Sequence, residues 1–222
     1  LNSASSTFNL IWDTTNPSTP TVLTPSATGI YLQGGQSYDI TWTASTDTNF
    51  GAQPIMIEYS LLGNFTDAVT IIAATENDGT YSWTVPSEDV STAKIRITAT
   101  DLASNTATDS SDNAFTIDST NPTVDVSPDV ITNVQISKDA ATSGATTWQW
   151  TKVSGSGIVT FGTPTAEDTT ISTDADDTYV IKLTATDAAL NSASSTFNLI
   201  WDTTNPTVST LSPLDGATST SL

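Results

Sequence analysis

Short runs in which apolar and polar residues alternate recur along the whole chain, separated by turn-forming Gly, Asn, Asp and Pro. A two-residue alternation is the pattern of a β-strand that has one buried and one solvent-facing side. The runs are rich in Thr, Val, Ile and aromatic residues, which favour strands. Seven runs lie between residues 21 and 118, and seven more lie between residues 123 and 202. The pattern therefore predicts an all-β protein.

An internal repeat marks the edges of the predicted domains. The 17 residues LNSASSTFNLIWDTTNP occupy positions 1–17 and recur unchanged at 190–206, and a weaker copy, AFTIDSTNP, occupies 114–122. Each copy ends in Asp-x-Thr-Asn-Pro, and these motifs begin at Asp13, Asp118 and Asp202. Seven strands between successive motifs are typical of an immunoglobulin-like sandwich.

We therefore predict tandem immunoglobulin-like β-sandwich domains with about seven antiparallel strands each. The first domain is predicted at residues 18–120 and the second at 121–205. Residues 1–17 are interpreted as the terminal strand and linker of a preceding domain, or as a donor strand that pairs with another copy of the chain. Residues 206–222 are interpreted as the start of a following domain or as a disordered tail.

Charge and composition exclude several classes of function. The net charge is -19, with 24 acidic residues against five Lys and Arg, so a basic patch for nucleic acid is not expected. The chain has no Cys and no His, which excludes disulfides and Ser-His-Asp or Cys-His catalysis. No run approaches the roughly 18 apolar residues of a membrane span. We expect a protein that is not an enzyme and has no membrane span in this fragment.

One set of motifs recurs near the ends of the two predicted domains. In the first domain, Thr98-Ala99-Thr100-Asp101 is followed by Asn105 and a Phe-containing strand. The second domain has Thr184-Ala185-Thr186-Asp187 and Asn191 in the same order. These motifs resemble bacterial immunoglobulin-like domains of giant surface adhesins and S-layer-type proteins. The family usually has Gly before this Asn, whereas Ser104 and Leu190 stand there in this chain.

Two further resemblances distinguish the two domains. The run from Trp150 to Gly157 resembles PKD-like domains. The first domain, with Ile40-Thr41-Trp42 and Tyr81-Ser82-Trp83, is similar to immunoglobulin-like modules of Ser/Thr-rich cell-wall proteins. Together the resemblances imply a structural segment of an extracellular, cell-surface protein.

Carboxylates near the junctions form the candidate functional sites. In an immunoglobulin-like sandwich, the loop of the last hairpin and the loop between the second and third strands lie at the end where the chain enters. Asp and Asn residues of these loops should therefore gather around the preceding junction. The expected groups are Asp13 with Asp47, Asp101 and Asn105; Asp118 with Asp139, Asp187 and Asn191; and Asp202 at the third junction.

Such groups suit calcium, which takes roughly six to eight oxygen ligands from carboxylates, amides, backbone and water. A structural Ca2+ at one or more junctions would relieve the repulsion between carboxylates and fix the angle between domains. The alternative interpretation is that these Asp and Asn residues are only turn formers. The same alternative applies to Asp174, Asp176 and Asp177, which we interpret as a solvated turn.

The expected function is an extracellular stalk or adhesin segment whose partners are the neighbouring immunoglobulin-like domains of the same chain. One alternative is an S-layer, sheath or fibre subunit that assembles with other copies of itself by strand exchange. Another is a carbohydrate-binding accessory module of a secreted hydrolase, which would need exposed, coplanar aromatic side chains. Positions on alternating strands instead favour a core location for four tryptophans, which are Trp42, Trp83, Trp148 and Trp150. Tyr179 is interpreted as a structural tyrosine corner.

Overall fold

The computed structural model describes residues 4–7 and 12–208, which form eighteen β-strands and no helix. Nothing in this part of the chain has the length and apolarity of a membrane-spanning helix. The described residues form two compact units: the first ends at Pro122 and also includes Gly144–Thr146 and Thr186–Ser192, and the rest belongs to the second. This division lies just beyond the predicted domain boundary at residue 120.

The first unit is a sandwich of two sheets. One sheet has the strand order β1-β3-β6, and the other has the order β2-β9-β7-β4-β5 with β8 paired to β7. The strands are β1 (Thr21–Thr24), β2 (Tyr31–Gln33), β3 (Ser37–Thr43), β4 (Ile55–Ser60), β5 (Val69–Thr75), β6 (Thr80–Thr84), β7 (Val90–Thr100), β8 (Thr106–Ser110) and β9 (Phe115–Asp118).

Alternating residues of facing strands form the core of this unit. Along β7, Ala93, Ile95, Ile97 and Ala99 are fully buried, while the residues between them are partly exposed. Full burial of a side chain the size of Ile contributes roughly 1.5–3 kcal/mol. Other strands add inward-facing residues to the same core: Ile40, Trp42, Ile55, Ile57, Trp83, Phe115 and Ile117.

The second unit also buries a core between sheets, and its strands form three sheets with the orders β10-β13, β11-β18-β17-β14 and β12-β16-β15. Its core contains Trp150, Tyr179, Ile181, Leu183, Phe197, Leu199 and Trp201. The strands are β10 (Thr123–Asp125), β11 (Val130–Thr132), β12 (Ile136–Lys138), β13 (Ala141–Ser143), β14 (Thr147–Ser154), β15 (Val159–Phe161), β16 (Thr169–Thr173), β17 (Asp177–Thr186) and β18 (Ser192–Trp201).

The strand arrangement confirms tandem immunoglobulin-like sandwiches, and each of the fourteen predicted runs overlaps a strand. Two details of the prediction are wrong. Each unit has nine strands, because β2 and β8 in the first unit and β11 and β13 in the second were not expected. The pairing is also not wholly antiparallel, since β2 runs parallel to β9 and β11 runs parallel to β18.

The predicted positions of the tryptophans are confirmed. Trp42, Trp83 and Trp150 are at most 5% exposed, and Trp148 is half-buried and packs against the core of the second unit. These rings therefore provide no exposed, coplanar platform for a sugar. Trp12, in contrast, is 87% exposed.

Tyr179 is a tyrosine corner, as its position predicts. Its side chain is fully buried, and its hydroxyl donates a hydrogen bond to the Ala175 carbonyl oxygen at 2.8 Å. Gly155 lies against the ring: a Cβ atom added there would be 2.2 Å from Tyr179 Cδ1. The backbone at Gly155 also has a φ of 114°, which residues with a side chain rarely adopt. The ring and the glycine therefore define one packed corner of the second unit.

Two predictions concern residues that the structure does not describe. The interpretation of residues 1–17 as a donor strand depends on Phe8 and Leu10, and the tail interpretation depends mainly on residues 209–222. Both sets lie outside the described residues.

Candidate metal site at the start of the first unit

The Asp-x-Thr-Asn-Pro motif folds into the same turn at every junction. The Thr15 amide donates to Asp13 Oδ1 at 2.8 Å. The equivalent amides, Thr120 and Thr204, donate to Asp118 Oδ1 at 3.0 Å and to Asp202 Oδ1 at 2.8 Å. An Asp side chain that accepts from the amide two residues later forms an Asx turn. The motif thus fixes the backbone locally through Oδ1, and the turn itself leaves Oδ2 of each carboxylate available to other partners.

Asp101 organises the loop between β7 and β8. Its side chain is buried, with 6% of its surface exposed. Asp101 Oδ1 accepts the amides of Ala103 and Asn105, each at 2.8 Å, and Oδ2 accepts Asn105 Nδ2 at 2.8 Å. Asn105 Nδ2 also donates to the Asp13 carbonyl oxygen at 3.1 Å. The loop is therefore tied directly to the linker that precedes the unit.

The long loop between β3 and β4 brings a third carboxylate to the same place. Asp47 Oδ1 accepts the Asn49 amide at 2.6 Å, and Asn49 Nδ2 donates to Asp13 Oδ2 at 2.6 Å. The Asn49 carbonyl oxygen accepts the Leu102 amide at 2.9 Å. Asn49 cannot be recognised as a site residue from the sequence, because an Asn two residues after an Asp is an ordinary turn signal.

These three elements place Asp13, Asp47 and Asp101 together. One carboxylate oxygen from each lies within 4.8 Å of the others. Among the described residues, the salt bridge is the one between Arg96 and Glu58, so no cationic side chain pairs with this group. Hydrogen bonds from the Thr15 amide and the Asn49 side chain hold the pKa of Asp13 below its ordinary value. Asp13 is therefore ionised at neutral pH.

The loop between β17 and β18 has the same internal bonding but a different surrounding. Asp187 Oδ1 accepts the amides of Ala189 and Asn191 at 2.9 Å, and Asp187 Oδ2 accepts Asn191 Nδ2 at 3.0 Å. Asn191 Nδ2 also donates to the Asp118 carbonyl oxygen at 3.1 Å, as Asn105 does to Asp13. No third carboxylate joins Asp118 and Asp187 within the described residues.

Asp139 belongs to no group of three carboxylates among the residues that the structure describes. It is an exposed residue between β12 and β13, which together occupy the position of one predicted strand and its following loop. The connection that leads to β14 is only residues 144–146, Gly-Ala-Thr, and carries no carboxylate. The corresponding connection in the first unit, residues 44–54, is long enough to carry Asp47. Asp202 keeps its Asx turn, but it belongs to no group of three carboxylates in the described part of the chain.

The acidic run at the start of β17 is solvated, since Asp174 and Asp176 are exposed, and its carboxylates also accept hydrogen bonds. Asp174 Oδ1 accepts the Ile158 amide at 2.7 Å, and Asp177 Oδ2 accepts the Ser156 amide at 2.7 Å. Asp176 accepts hydrogen bonds from Thr203 and Thr204. These bonds come from segments distant in sequence, so spacing alone could not have indicated them.

Ser104 and Leu190, which replace the family's Gly, both have a φ of 71°. This left-handed conformation costs a residue with a side chain roughly 1–2 kcal/mol relative to glycine. We expect Ser104→Gly to stabilise the first unit by about 1 kcal/mol, which corresponds to a rise of about 4–8 °C in Tm. Ser104→Ala is the matched control, because it removes the hydroxyl and retains Cβ. Calorimetric melting of both variants checks this, and an equal Tm in the two variants would contradict it.

Comparison with known protein families supports the interpretation of the second unit. Residues 119–200 match the family model described as K319L-like, PKD domain. The PKD-like domain predicted from Trp150 to Gly157 is thereby confirmed. No curated protein matches the chain.

The chain is similar to several solved structures at low sequence identity. Fibronectin(III)-like modules of Clostridium thermocellum CbhA share 12% identity over 82% of this chain and 93% of theirs, with a TM-score of 0.42. A Ca2+-stabilized adhesin that helps an Antarctic bacterium bind ice shares 16% sequence identity, and the match covers 85% of this chain and 50% of the adhesin chain with a TM-score of 0.41. A chain of a 1.5-MDa bacterial ice-binding adhesin shares 13% sequence identity, and the match covers 83% of this chain and 66% of that one with a TM-score of 0.38.

Proposed function

We propose that this chain is a stalk or adhesin segment of an extracellular surface protein, and that a calcium ion held by Asp13, Asp47 and Asp101 fixes the linker that leads into the first unit. The observation that carries the proposal is the convergence of three carboxylates from three separate elements without a compensating cation. Tandem sandwich units and a recurring junction motif support the stalk. The acidic surface fits a soluble extracellular segment.

The donor set suits a hard divalent cation. Asp13, Asp47 and Asp101 would supply carboxylate oxygens. Asn49 is hydrogen-bonded to Asp13, and Asn105 is hydrogen-bonded to Asp101, so the side-chain oxygens of both asparagines are also near the site. Asp47 Oδ2 accepts no hydrogen bond in the described part of the chain. Flexible coordination by several oxygens is characteristic of calcium, whereas magnesium requires near-ideal octahedral geometry. Water would complete the shell, because the pocket lined by Trp12, Asp13 and Asp47 is open.

A bound ion would connect the linker to the body of the unit. Asp13 is on the linker, whereas Asp47 and Asp101 belong to loops that are anchored in β3, β4 and β7. Without an ion, the repulsion among three carboxylates opposes the hydrogen bonds that hold the linker in place. The ion reverses the sign of this interaction. The linker is then held against the loops of the unit and no longer repelled by them.

We expect calcium to raise the Tm of the first unit and to leave the second unit unchanged. A ligand at a hundredfold excess over its Kd stabilises the folded state by about 2.7 kcal/mol. The measurement is scanning calorimetry in EDTA and in millimolar CaCl2. Asp47→Asn should abolish the shift, and in EDTA it should melt above the native chain because one repelling charge is removed. Asp139→Asn, which removes a charge outside the site, is the control. A shift that persists in Asp47→Asn would contradict the site.

The alternative of a fibre or S-layer subunit rests on the repeated strand. In β18, Phe197, Leu199 and Trp201 are buried, and segment 1–12 carries the same sequence. Trp12, the copy of Trp201, is exposed and fills no core position. Strand exchange predicts that deletion of residues 1–12 changes the oligomeric state, whereas a stalk segment would keep it. The carbohydrate-binding alternative has less support, because Trp12 is the one exposed tryptophan among the six, all of which are described.

A further inference from the structure

A pair of aspartates lies at equivalent positions in the two units, outside the candidate metal site. Asp89 is the residue before β7, and Asp176 is the residue before β17. Both side chains are exposed, and both accept hydrogen bonds from the Asp-x-Thr motif that follows the last strand of their own unit. The two loops that carry them differ in sequence, so the shared arrangement is not a consequence of the repeated segment.

The two aspartates use their oxygens in the same way. Asp89 Oδ1 accepts the Ser119 amide at 2.7 Å, and Oδ2 accepts the Thr120 hydroxyl at 2.7 Å. Asp176 Oδ1 accepts the Thr203 amide at 2.8 Å, and Oδ2 accepts the Thr204 hydroxyl at 2.9 Å. Each carboxylate therefore spans two consecutive motif residues. Such a two-point contact restrains the direction of the backbone more than one hydrogen bond does.

The surroundings of each contact are consistent with a fixed position of the chain. The Ser119 hydroxyl donates to the Glu88 carbonyl oxygen at 3.0 Å, and a Cβ atom added at Gly34 would lie 1.9 Å from that hydroxyl oxygen. The Thr203 hydroxyl adds a further bond to Asp176 Oδ1 at 2.7 Å. The hydrogen bond from the Ser119 amide, and secondly the one from the Thr120 hydroxyl, lower the pKa of Asp89. The Asp118 side chain lies beside the Asp89 carboxylate. The side chain and amide of Thr203 lower the pKa of Asp176.

We propose that Asp89 and Asp176 are positioning residues that fasten the outgoing linker to the end of each unit, so that the chain leaves each unit in a fixed direction without a metal ion. The inference rests on the proposed stalk function and deepens it. The incoming side of the first unit would be fixed by calcium, and the outgoing side of each unit by one carboxylate. The residue immediately before β7, and the residue immediately before β17, are thus a second determinant of stalk rigidity.

The chain contains an internal control for this proposal. The sequence DTTNP occurs at 13–17 and at 202–206, so the intrinsic amide exchange of Thr14 and Thr203 is governed by the same neighbouring residues. Asp176 bonds Thr203, whereas no second aspartate bonds Thr14 within the described residues. We expect the Thr203 amide to exchange about tenfold more slowly than the Thr14 amide, as one net hydrogen bond implies. NMR exchange on the full chain in EDTA measures both rates at once.

Variants separate this contact from general stability and from calcium. Asp176→Ala should equalise Thr203 and Thr14, and Asp89→Ala should accelerate Ser119 while Thr203 remains protected. Asp139→Ala, a charge-matched exposed control, should change neither rate. Equal rates for Thr14 and Thr203 in the native chain, or unchanged rates in the two variants, would overturn the proposal. Because all samples contain EDTA, this result is independent of the calcium shift at Asp47, so either proposal can fail alone.

Discussion

Asp101→Ala is expected to destabilise the first unit by about 3 kcal/mol in calcium-free buffer. The Asp101 carboxylate accepts three hydrogen bonds, from the amides of Ala103 and Asn105 and from Asn105 Nδ2. Removal of a buried acceptor costs roughly 1–3 kcal/mol for each donor left without a partner, and water can reach part of this loop. The loss of one repelling charge offsets a fraction of the cost. Calorimetric or urea unfolding in EDTA measures the change.

Asp47→Ala is the matched comparison for this prediction. It removes the same charge from the same group, but Asp47 accepts one hydrogen bond, from the Asn49 amide. The expected change is within about 1 kcal/mol. Both variants should lose calcium binding, so their difference isolates the role of Asp101 in folding the loop. Equal destabilisation by the two substitutions would show that Asp101 acts only through its charge.

Gly155→Ala is expected to destabilise the second unit by about 3 kcal/mol or more. The added Cβ would lie 2.2, 2.8 and 2.9 Å from three ring carbons of Tyr179, whose side chain is fully buried. Overpacking of this kind costs roughly 1–3 kcal/mol, and the φ of 114° adds a conformational cost for any residue with a side chain. The calorimetric transition of the second unit should shift to lower temperature.

Gly29→Ala separates the two causes. Gly29 also has a positive φ, of 73°, but no atom lies within 4 Å of the added Cβ. It should therefore cost the first unit only the conformational part, about 1 kcal/mol. A Gly155→Ala variant that loses no more than Gly29→Ala would contradict the packed corner at Tyr179.

The long strands β7 and β17 were predictable because their side chains alternate between buried and partly exposed positions. In β7, every second residue from Ala93 to Ala99 is fully buried, and this two-residue period is visible in the sequence. The strands that were missed carry no such signal. Three of them have only three residues, and β8, Thr-Ala-Thr-Asp-Ser, pairs along β7 without contributing a buried side chain. Pairing of backbone groups with a neighbouring strand defines these short strands, and burial adds to it in β2, where Leu32 lies in the core.

The candidate site could be predicted only as far as topology follows from sequence. The hairpin loop with Asp101 and Asn105 had to lie near Asp13 once the sandwich fold was inferred. Asp139 could not be placed in this way, because it lies between the two short strands β12 and β13, and the connection from β13 to β14 carries no carboxylate.

Asp89 and Asp176 were inaccessible to sequence reasoning for a different reason. Their contacts depend on where an exposed loop approaches the chain that leaves the unit. Asp89 is 30 residues from Ser119. No motif spacing indicates such a contact.

The most direct test of the calcium-fixed linker is a terbium titration. Trp12 lines the same open pocket as Asp13 and Asp47, so its indole should sensitise the emission of Tb3+ bound there. We expect sensitised emission that saturates at one ion per chain, is reversed by CaCl2 and is abolished by Asp47→Asn. Trp12→Phe should lose the emission and retain the calcium-dependent rise in Tm. Absence of sensitised emission in the native chain, or emission that persists in Asp47→Asn, would contradict a calcium site at Asp13, Asp47 and Asp101.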